Sequence, residues 1–392
     1  MEMTEYYDEY LRYFELAKDQ QAKCNLGTIP YLESNMNDDL LENVELYDVV
    51  ERKFAGFSQI INDVFYGWTP EHPYFHKMEK GIHTRERGYI ARDWTGKHAD
   101  FSLPEWLYVF ILHRVTGSGI NYSKKPSGYH NTLLPHLYEC MSIEDMVRRV
   151  NHHPYPFYTS VGYQFPAFPK VPAGSNYKKG GDYYLSEFAP RLARDLAEWL
   201  EGSNAKRDLR EIGDWMLAWN VANGLRQYKF QYAAVVADIA DWYPQYCNLD
   251  SPFYYGTNAV ECISYLANNT DRLKQEAFLD KVMEKIYADT GAYPYNAEDV
   301  CCDFIRYLEN YVKPGSDYDH LDLDNLWNSS NFIHPYGRQK PMLELGLIKT
   351  FNGIKSHPSD NKILSDNGMS EIEYIKKVKE IYPNAVVPNK FF

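Results

Sequence analysis

The segment 103–135 holds the residues whose types and spacing are best suited to chemistry in this chain. An apolar run at 106–112 predicts a buried helix, and a Thr-Gly-Ser-Gly turn follows it at 116–119. A second turn with polar side chains, Gly-Tyr-His-Asn-Thr, lies at 128–132. Because helix ends and glycine turns expose backbone N–H groups, this pair of turns favours an anion. We expect it to bind a phosphate-bearing ligand. The alternative is a helix end followed by an ordinary turn.

Two aspartates and a glycine hairpin follow further along the chain. Asp238 and Asp241 are three residues apart in a predicted helix, hence on one face, and they could hold a cation or act as a base. The alternative is a solvated helix face. An aromatic loop then turns at Gly256 and enters another helix near Thr257 or Asn258, which predicts a helix–hairpin–helix arrangement. Backbone N–H groups of such a hairpin can bind a DNA phosphate with little need for basic side chains.

The helix predicted at 297–311 carries further candidate bases. Glu298, Cys302 and Arg306 share one face at four-residue spacing, and Asp299 and Asp303 lie beside it. Acidic residues between Cys and Phe suggest partial burial, which raises the pKa of a carboxyl group and suits it to act as a base. The alternative is a surface helix with a Glu–Arg pair and a buried stripe of cysteines.

The composition indicates a folded protein and limits its partners. Hydrophobic residues make up 44% of the 392 residues, and Tyr is unusually frequent at 35 residues. The net charge of −13 argues against a broad nucleic-acid-binding face. The charge is uneven, because residues 1–50 carry −9 and residues 114–179 carry +5. A small phosphate or DNA site can therefore lie in the basic segment, with the acidic segment facing solvent or a partner.

Apolar residues recur at three- and four-residue spacing through most of the chain, which predicts a mainly α fold. The predicted helices cover 6–22, 40–65, 143–150, 187–200, 208–222, 230–243, 258–266, 277–287, 297–311 and 370–381. The long stretch 153–181 is rich in Pro, Gly and aromatic residues, as in a lid or binding loop. The six cysteines lack zinc-ligand spacing and predict free thiols, and no apolar run is long enough for a membrane span. The acidic start predicts no signal peptide.

Four segments, taken in their order, resemble the alpha-glutamyl/putrescinyl thymine pyrophosphorylases, also called amino acid:DNA transferases, of bacteriophages. The first segment is HRVTGSGINY with GYHNTLLP (113–135), the second FQYAAVVADIADWYP (230–244), the third SPFYYGTNA (251–259) and the fourth AEDVCCDFIRYLENY (297–311). The resemblance covers roughly residues 80–312. It implies a helical fold related to helix–hairpin–helix DNA glycosylases. The domains would be an acidic N-terminal helical extension at 1–80, a glycosylase-like catalytic core at 81–315 and a C-terminal extension at 316–392.

The resemblance also implies a reaction on hypermodified thymine in phage DNA. The base carries a pyrophosphorylated 5-hydroxymethyl group, and an amino acid or a polyamine displaces pyrophosphate at the methylene carbon. As catalytic residues we expect Arg114 at the pyrophosphate, His130 as the acid for the leaving group, and Asp238 or Asp303 as the base for the amine. No cofactor is certain; a divalent cation could assist pyrophosphate release, although no ligand set is evident in the sequence.

The expected substrate-binding residues fall into three groups. The turn residues are expected to bind pyrophosphate, the tyrosines to stack on a flipped base, and the asparagines to read its edge. Together with two residues of the third and fourth segments, the set is Thr116, Gly117, Ser118, Gly119, Asn121, Tyr122, Tyr129, Asn131, Tyr255, Gly256 and Glu298.

Two other functional classes stay open. A DNA glycosylase-type enzyme would cut the N-glycosidic bond and release a free base. A non-catalytic phage DNA-binding or assembly protein would show no turnover, and the many polar groups at 114–132 disfavour it. For the transferase we expect DNA and an amine as partners, no membrane, and a location in the cytoplasm of the infected host cell.

Overall fold

The structure is a computed structural model, and it describes residues 2–25, 50–52, 101–116, 140–152, 168–177, 179–268, 272–323, 339–347 and 361–391. Helices dominate these ranges. The one sheet within them is a parallel pair of two-residue strands, β1 (Arg207–Asp208) and β2 (Cys247–Asn248). The prediction of a mainly α fold is therefore confirmed.

The helices of the first half of the chain are α1 (Tyr6–Asn25), α2 (Leu103–Thr116), α3 (Ile143–His152), α4 (Gly180–Tyr183), α5 (Ala189–Glu201) and α6 (Leu209–Ala222). Those that follow are α7 (Ala233–Trp242), α8 (Thr257–Leu266), α9 (Glu276–Thr290), α10 (Pro294–Tyr307), α11 (Gln339–Glu344), α12 (Asn361–Asp366) and α13 (Glu371–Ile381). A π-helical turn joins α4 to α5, and another extends α10. The helices predicted within the described ranges are present with small shifts at their ends, and the helix predicted at 40–65 lies largely outside those ranges.

The first hydrophobic core surrounds α2. Every residue of this helix from Trp106 to Leu112 is almost completely buried, as expected for a helix that is apolar on all sides. α2 packs against α5 and α7, and α6 also packs against α7. Because α2 ends inside the protein, its last turn brings Arg114 to α7.

The second core lies between α8, α9, α10 and the N-terminal helix α1. Tyr10 and Tyr13 of α1 pack on the Phe304 ring of α10, with ring centroids 5.2 and 5.4 Å apart. The acidic residues of α1 face mostly outward, but its aromatic side is buried because Tyr and Phe recur there at three- and four-residue spacing. α1 therefore faces solvent on only one side.

A smaller apolar cluster joins α11, α12 and α13 near the C-terminus. Ser370 begins α13 with a capping box, in which its hydroxyl accepts the Glu373 N–H and the Glu373 carboxylate accepts the Ser370 N–H. The Asn389 N–H donates to the Asp317 carbonyl at 2.6 Å, so the chain end contacts the segment after α10. The domain boundaries at 80/81 and 315/316 stay predictions.

Candidate functional site

Arg114 and Asp238 form a buried ion pair between α2 and α7. The Arg114 Nε donates to Asp238 Oδ2 at 2.7 Å, and a second guanidinium nitrogen donates to Oδ1. Their side chains are only 7% and 2% exposed. A planar guanidinium binds both carboxylate oxygens at once, and each charge compensates one that would be costly to bury alone. The pair connects the first segment to the second.

Asp241 lies one turn after Asp238 on α7, but its contact is with a different helix. Tyr295, in the first turn of α10, donates its hydroxyl to Asp241 Oδ1 at 2.8 Å. Burial raises the pKa of Tyr295 well above its ordinary range, and the nearby Asp241 charge raises it further, so the hydroxyl stays a protonated donor. The contact connects the second segment to the residues just before the fourth. The two aspartates thus have the predicted spacing but separate partners.

Glu298 of α10 fixes the loop that precedes α8. The Gly256 N–H donates to Glu298 Oε1 at 3.0 Å, and Glu298 is 1% exposed. A Cβ at position 256 would lie 3.0 Å from that oxygen and 3.2 Å from the Phe230 ring, so a larger residue would fit only if these side chains moved by a few tenths of an ångström. The hairpin prediction assigns such an N–H group to a DNA phosphate. In the structure the Glu298 carboxylate accepts it, because an internal anion also suits the start of a helix.

Cys302 and Asp303 follow Glu298 by one turn of α10. The Cys302 Sγ lies 3.8 Å from Glu298 Oε1, as the four-residue spacing predicts. Burial raises the pKa of the Cys302 thiol, and the Glu298 charge raises it further, so this thiol is a weak nucleophile. Arg306, predicted on the same face, forms an ion pair with Asp303, and its side chain is 53% exposed.

Tyr255, a predicted stacking residue, is held in a contact with α6 and α9. Its hydroxyl donates to Asp280 Oδ1 at 2.8 Å, and Arg210 donates to the same oxygen at 2.7 Å. The Arg210 guanidinium carbon also lies 5.8 Å from the centroid of the Tyr255 ring. Burial raises the pKa of Tyr255, and the Asp280 charge adds to the effect. The side chain therefore fixes the third segment to the helices around it.

The remaining predicted site residues lie in or beside the part of the chain that the structure leaves undescribed. Thr116 ends α2, and its side chain is not described. The residues entirely outside the described ranges are Gly117, Ser118, Gly119, Asn121, Tyr122, Tyr129, His130 and Asn131. Their roles stay predictions.

A cavity of about 340 Å³ lies where α1, the end of α7 and the start of α10 meet. Its lining includes Asp241 of α7, Tyr293 and Tyr295 at the start of α10, Lys18 of α1, and Glu51. The volume is within the range of small-molecule pockets, which begins at about 300 Å³. The cavity therefore has room for a small ligand beside Asp241.

Hydrogen bonds hold Glu51 at this cavity. The Gln21 amide donates to Glu51 Oε1 at 2.8 Å, and the Glu51 N–H donates to Gln21 Oε1 at 2.8 Å. The next N–H, that of Arg52, donates to Asn296 Oδ1 at 3.0 Å. Nothing in the sequence spacing relates position 51 to α7 or α10, so Glu51 and its partners could not be predicted as site residues. Tyr295 and Asn296 lie immediately before the fourth segment, and their position in the sequence was the one indication of this cavity.

Within the described ranges, no helix is both long and apolar enough to cross a membrane. The same ranges contain no group of three or more His, Cys, Asp or Glu side chains placed to hold a metal ion. The cysteines with described side chains are free thiols, as predicted. The chain matches no family model, and it has no significant similarity to a curated protein or to a solved structure.

Proposed function

We propose that this chain is a DNA-modifying transferase that replaces the pyrophosphate of 5-(pyrophosphooxymethyl)uracil in DNA by a primary amine. The amine is an amino acid or a polyamine, and the product is a hypermodified thymine. Two things support the proposal. One is the resemblance of the four segments to phage thymine pyrophosphorylases, and the other is the way these segments meet in the structure.

The single observation that carries the proposal is that direct contacts connect the four segments in pairs. Two hydrogen-bonded contacts do so, Arg114–Asp238 between the first and second segments and Gly256–Glu298 between the third and fourth. A third contact, Asp241–Tyr295, connects the second segment to a residue just before the fourth. Residues that build one site must be brought together by the fold, even when they are far apart in the chain. An accidental match of four separate segments would give no reason for such contacts.

The proposed reaction forms a C–N bond at the methylene carbon and breaks the C–O bond to pyrophosphate. A base first takes one proton from the ammonium form of the amine, because only the neutral amine has an electron pair for the attack. Pyrophosphate leaves with the electron pair of the C–O bond, and the extra proton on the new nitrogen passes to solvent. Cations and N–H donors stabilise the negative charge that develops on the leaving group.

The contacts separate the two candidate bases. Both oxygens of Asp238 accept hydrogen bonds from Arg114, which leaves this carboxylate poorly accessible to an ammonium proton. Asp303 pairs with a half-exposed Arg306 and is itself 14% exposed, so of these two carboxylates it is the more accessible to a proton donor. Arg114 stays the candidate for the pyrophosphate, because it lies three residues before the glycine turn predicted at 117–119.

Nucleoside mass analysis tests the proposal. The chain would be co-expressed with the enzymes that make the pyrophosphorylated base, and the DNA digested to nucleosides. We expect a new thymidine derivative whose added mass identifies the amine. Free base with abasic sites would indicate a glycosylase instead, and unchanged DNA that the protein still binds would indicate a binding protein.

A pair of arginine variants locates the pyrophosphate site in the same assay. Arg114→Lys keeps a positive charge but loses the bidentate geometry, and we expect reduced transfer. Arg148→Ala is the matched control, because Arg148 pairs with Asp145 at the surface and is 70% exposed. Equal transfer by the two variants would remove Arg114 from the site.

A further inference from the structure

We propose that the cavity between α1, α7 and α10 binds the amine co-substrate, a small aliphatic molecule with a protonated primary amino group. The name co-substrate rests on the proposed function, whereas binding of the amine does not depend on it. The charge of the lining, its aromatic rings and the place of the cavity on α7 carry the inference.

The charge of the cavity suits a cation. Asp241 and Glu51 both line it, and Lys18 is the one cation among its described lining residues. Lys18 is 57% exposed and therefore lies toward solvent. Asp241 accepts the hydrogen bond of the Tyr295 hydroxyl, and Glu51 and Tyr295 line the same cavity. An ammonium group is attracted to this place, while a pyrophosphorylated base is repelled.

The rings and the helix end add to the preference for an amine. Tyr293 and Tyr295 lie parallel, with centroids 6.2 Å apart and planes 7° apart, and both line the cavity. Tyrosine faces attract an ammonium group and also pack against methylene groups. The end of α7 borders the cavity through Ala240 and Asp241. The last carbonyls of a helix carry partial negative charge, which again favours a cation.

The position of the cavity fits the proposed displacement. Asp241 follows Asp238 by three residues, so their Cβ atoms are about 5–6 Å apart on the helix surface. Asp238 contacts Arg114, the candidate group for the pyrophosphate. The cavity is therefore one helical turn from the proposed leaving-group site, and a nucleophile and a leaving group need such neighbouring places around one carbon.

Calorimetric titration of the full chain without DNA tests the site. The probe is putrescine, and 1,4-butanediol, of the same length without charge, is the matched ligand control. We expect putrescine to bind and the diol not to bind. Asp241→Asn and Glu51→Gln should each weaken putrescine by about tenfold or more, because each removes one charged partner of the ammonium. Asp214→Asn should not weaken it, since Asp214 also accepts a tyrosine hydroxyl, that of Tyr254, but does not line the cavity.

Unchanged putrescine affinity in either folded variant, Asp241→Asn or Glu51→Gln, would overturn the proposal, as would equal binding of the diol. Two carboxylate variants are used so that a folding defect in one still leaves a decisive result. Circular dichroism establishes that each variant is folded before titration.

The variant Lys18→Gln tests whether the bound amine is an amino acid or a diamine. Glycine is the second probe, because its carboxylate can pair with Lys18. A loss of glycine affinity with putrescine unaffected identifies an amino acid, and tighter putrescine binding identifies a diamine; either result supports an amine site. Transfer to DNA is measured separately. Amine binding without transfer contradicts the proposed function alone, and transfer with an unchanged KM for the amine in Asp241→Asn contradicts the cavity alone.

Discussion

Asp238 and Asp241 lie one turn apart on α7, and their surroundings differ sharply. Asp238 is 2% exposed, and its two oxygens accept hydrogen bonds from the Arg114 guanidinium. Asp241 lines a cavity, accepts a hydrogen bond from the neutral Tyr295 hydroxyl, and has a second carboxylate, Glu51, in the same lining. A carboxylate matched by a buried cation stabilises the fold, whereas one that faces a cavity beside another acid attracts a cationic ligand. Equal residue types at helical spacing thus serve different purposes.

Replacing each aspartate by asparagine should give the largest difference in the free energy of unfolding between the two sites. Asp238→Asn removes the buried carboxylate charge that compensates the Arg114 guanidinium, and we expect a loss of about 3–5 kcal/mol in the free energy of unfolding. Asp241→Asn keeps an oxygen for the Tyr295 hydroxyl, and we expect a loss below about 1 kcal/mol. Urea denaturation measures both. Similar losses for the two variants would contradict the claim that Asp238 stabilises the fold while Asp241 serves to bind a ligand.

A double substitution sharpens the structural half of the comparison. Arg114→Met alone should cost about 3–5 kcal/mol, because it leaves Asp238 buried and unpaired. Adding Asp238→Leu removes that charge, and the double variant should recover at least about 2 kcal/mol of the loss. Urea denaturation of both proteins gives the difference, with Arg148→Ala as a surface control. No recovery in the double variant would mean that Arg114 stabilises the fold through other contacts.

The sequence predicted the helices well because apolar residues at helical spacing form the side of each helix that the fold buries. α2 is buried where the run at 106–112 indicated. It also predicted the spacing of Asp238 and Asp241. It could not predict their partners, because Arg114 and Tyr295 are brought to α7 by packing between distant segments. Only tertiary structure brings Glu51 to the end of α7.

Removing the hydroxyl of Tyr295 tests the contact on the cavity side of α7, and it should have a smaller effect on the free energy of unfolding. Tyr295→Phe keeps the ring and removes the hydrogen bond to Asp241, and we expect a loss of about 1–2 kcal/mol, because the bond has a charged acceptor. Thermal and urea denaturation would measure it. Tyr254→Phe is the matched control, since Tyr254 likewise donates to an aspartate, Asp214. A loss as large as that of Asp238→Asn would place Tyr295 among the main stabilising groups instead.

A small rise in pH above 10 should give the smallest difference in the free energy of unfolding, that between the wild-type protein and Tyr295→Phe. The pKa of Tyr295 is raised in the folded protein above its ordinary value of 10.0. The stabilisation from this shift is complete below about pH 10 and decreases as the pH rises further, because the unfolded chain then loses the proton more readily. The wild-type protein should therefore lose stability faster than Tyr295→Phe above pH 10, by up to about 1.4 kcal/mol per pH unit. Parallel curves would contradict a protonated Tyr295 hydroxyl.

The most direct measurement of the central claim is the rate of amine transfer to pyrophosphorylated DNA as a function of amine concentration, for the wild-type protein and Asp241→Asn. If the chain is the proposed transferase and Asp241 binds the amine, the variant should show a KM for the amine raised by about tenfold or more, with kcat largely kept. An unchanged KM would contradict the role of Asp241, and absence of transfer by the folded wild-type protein would contradict the function itself.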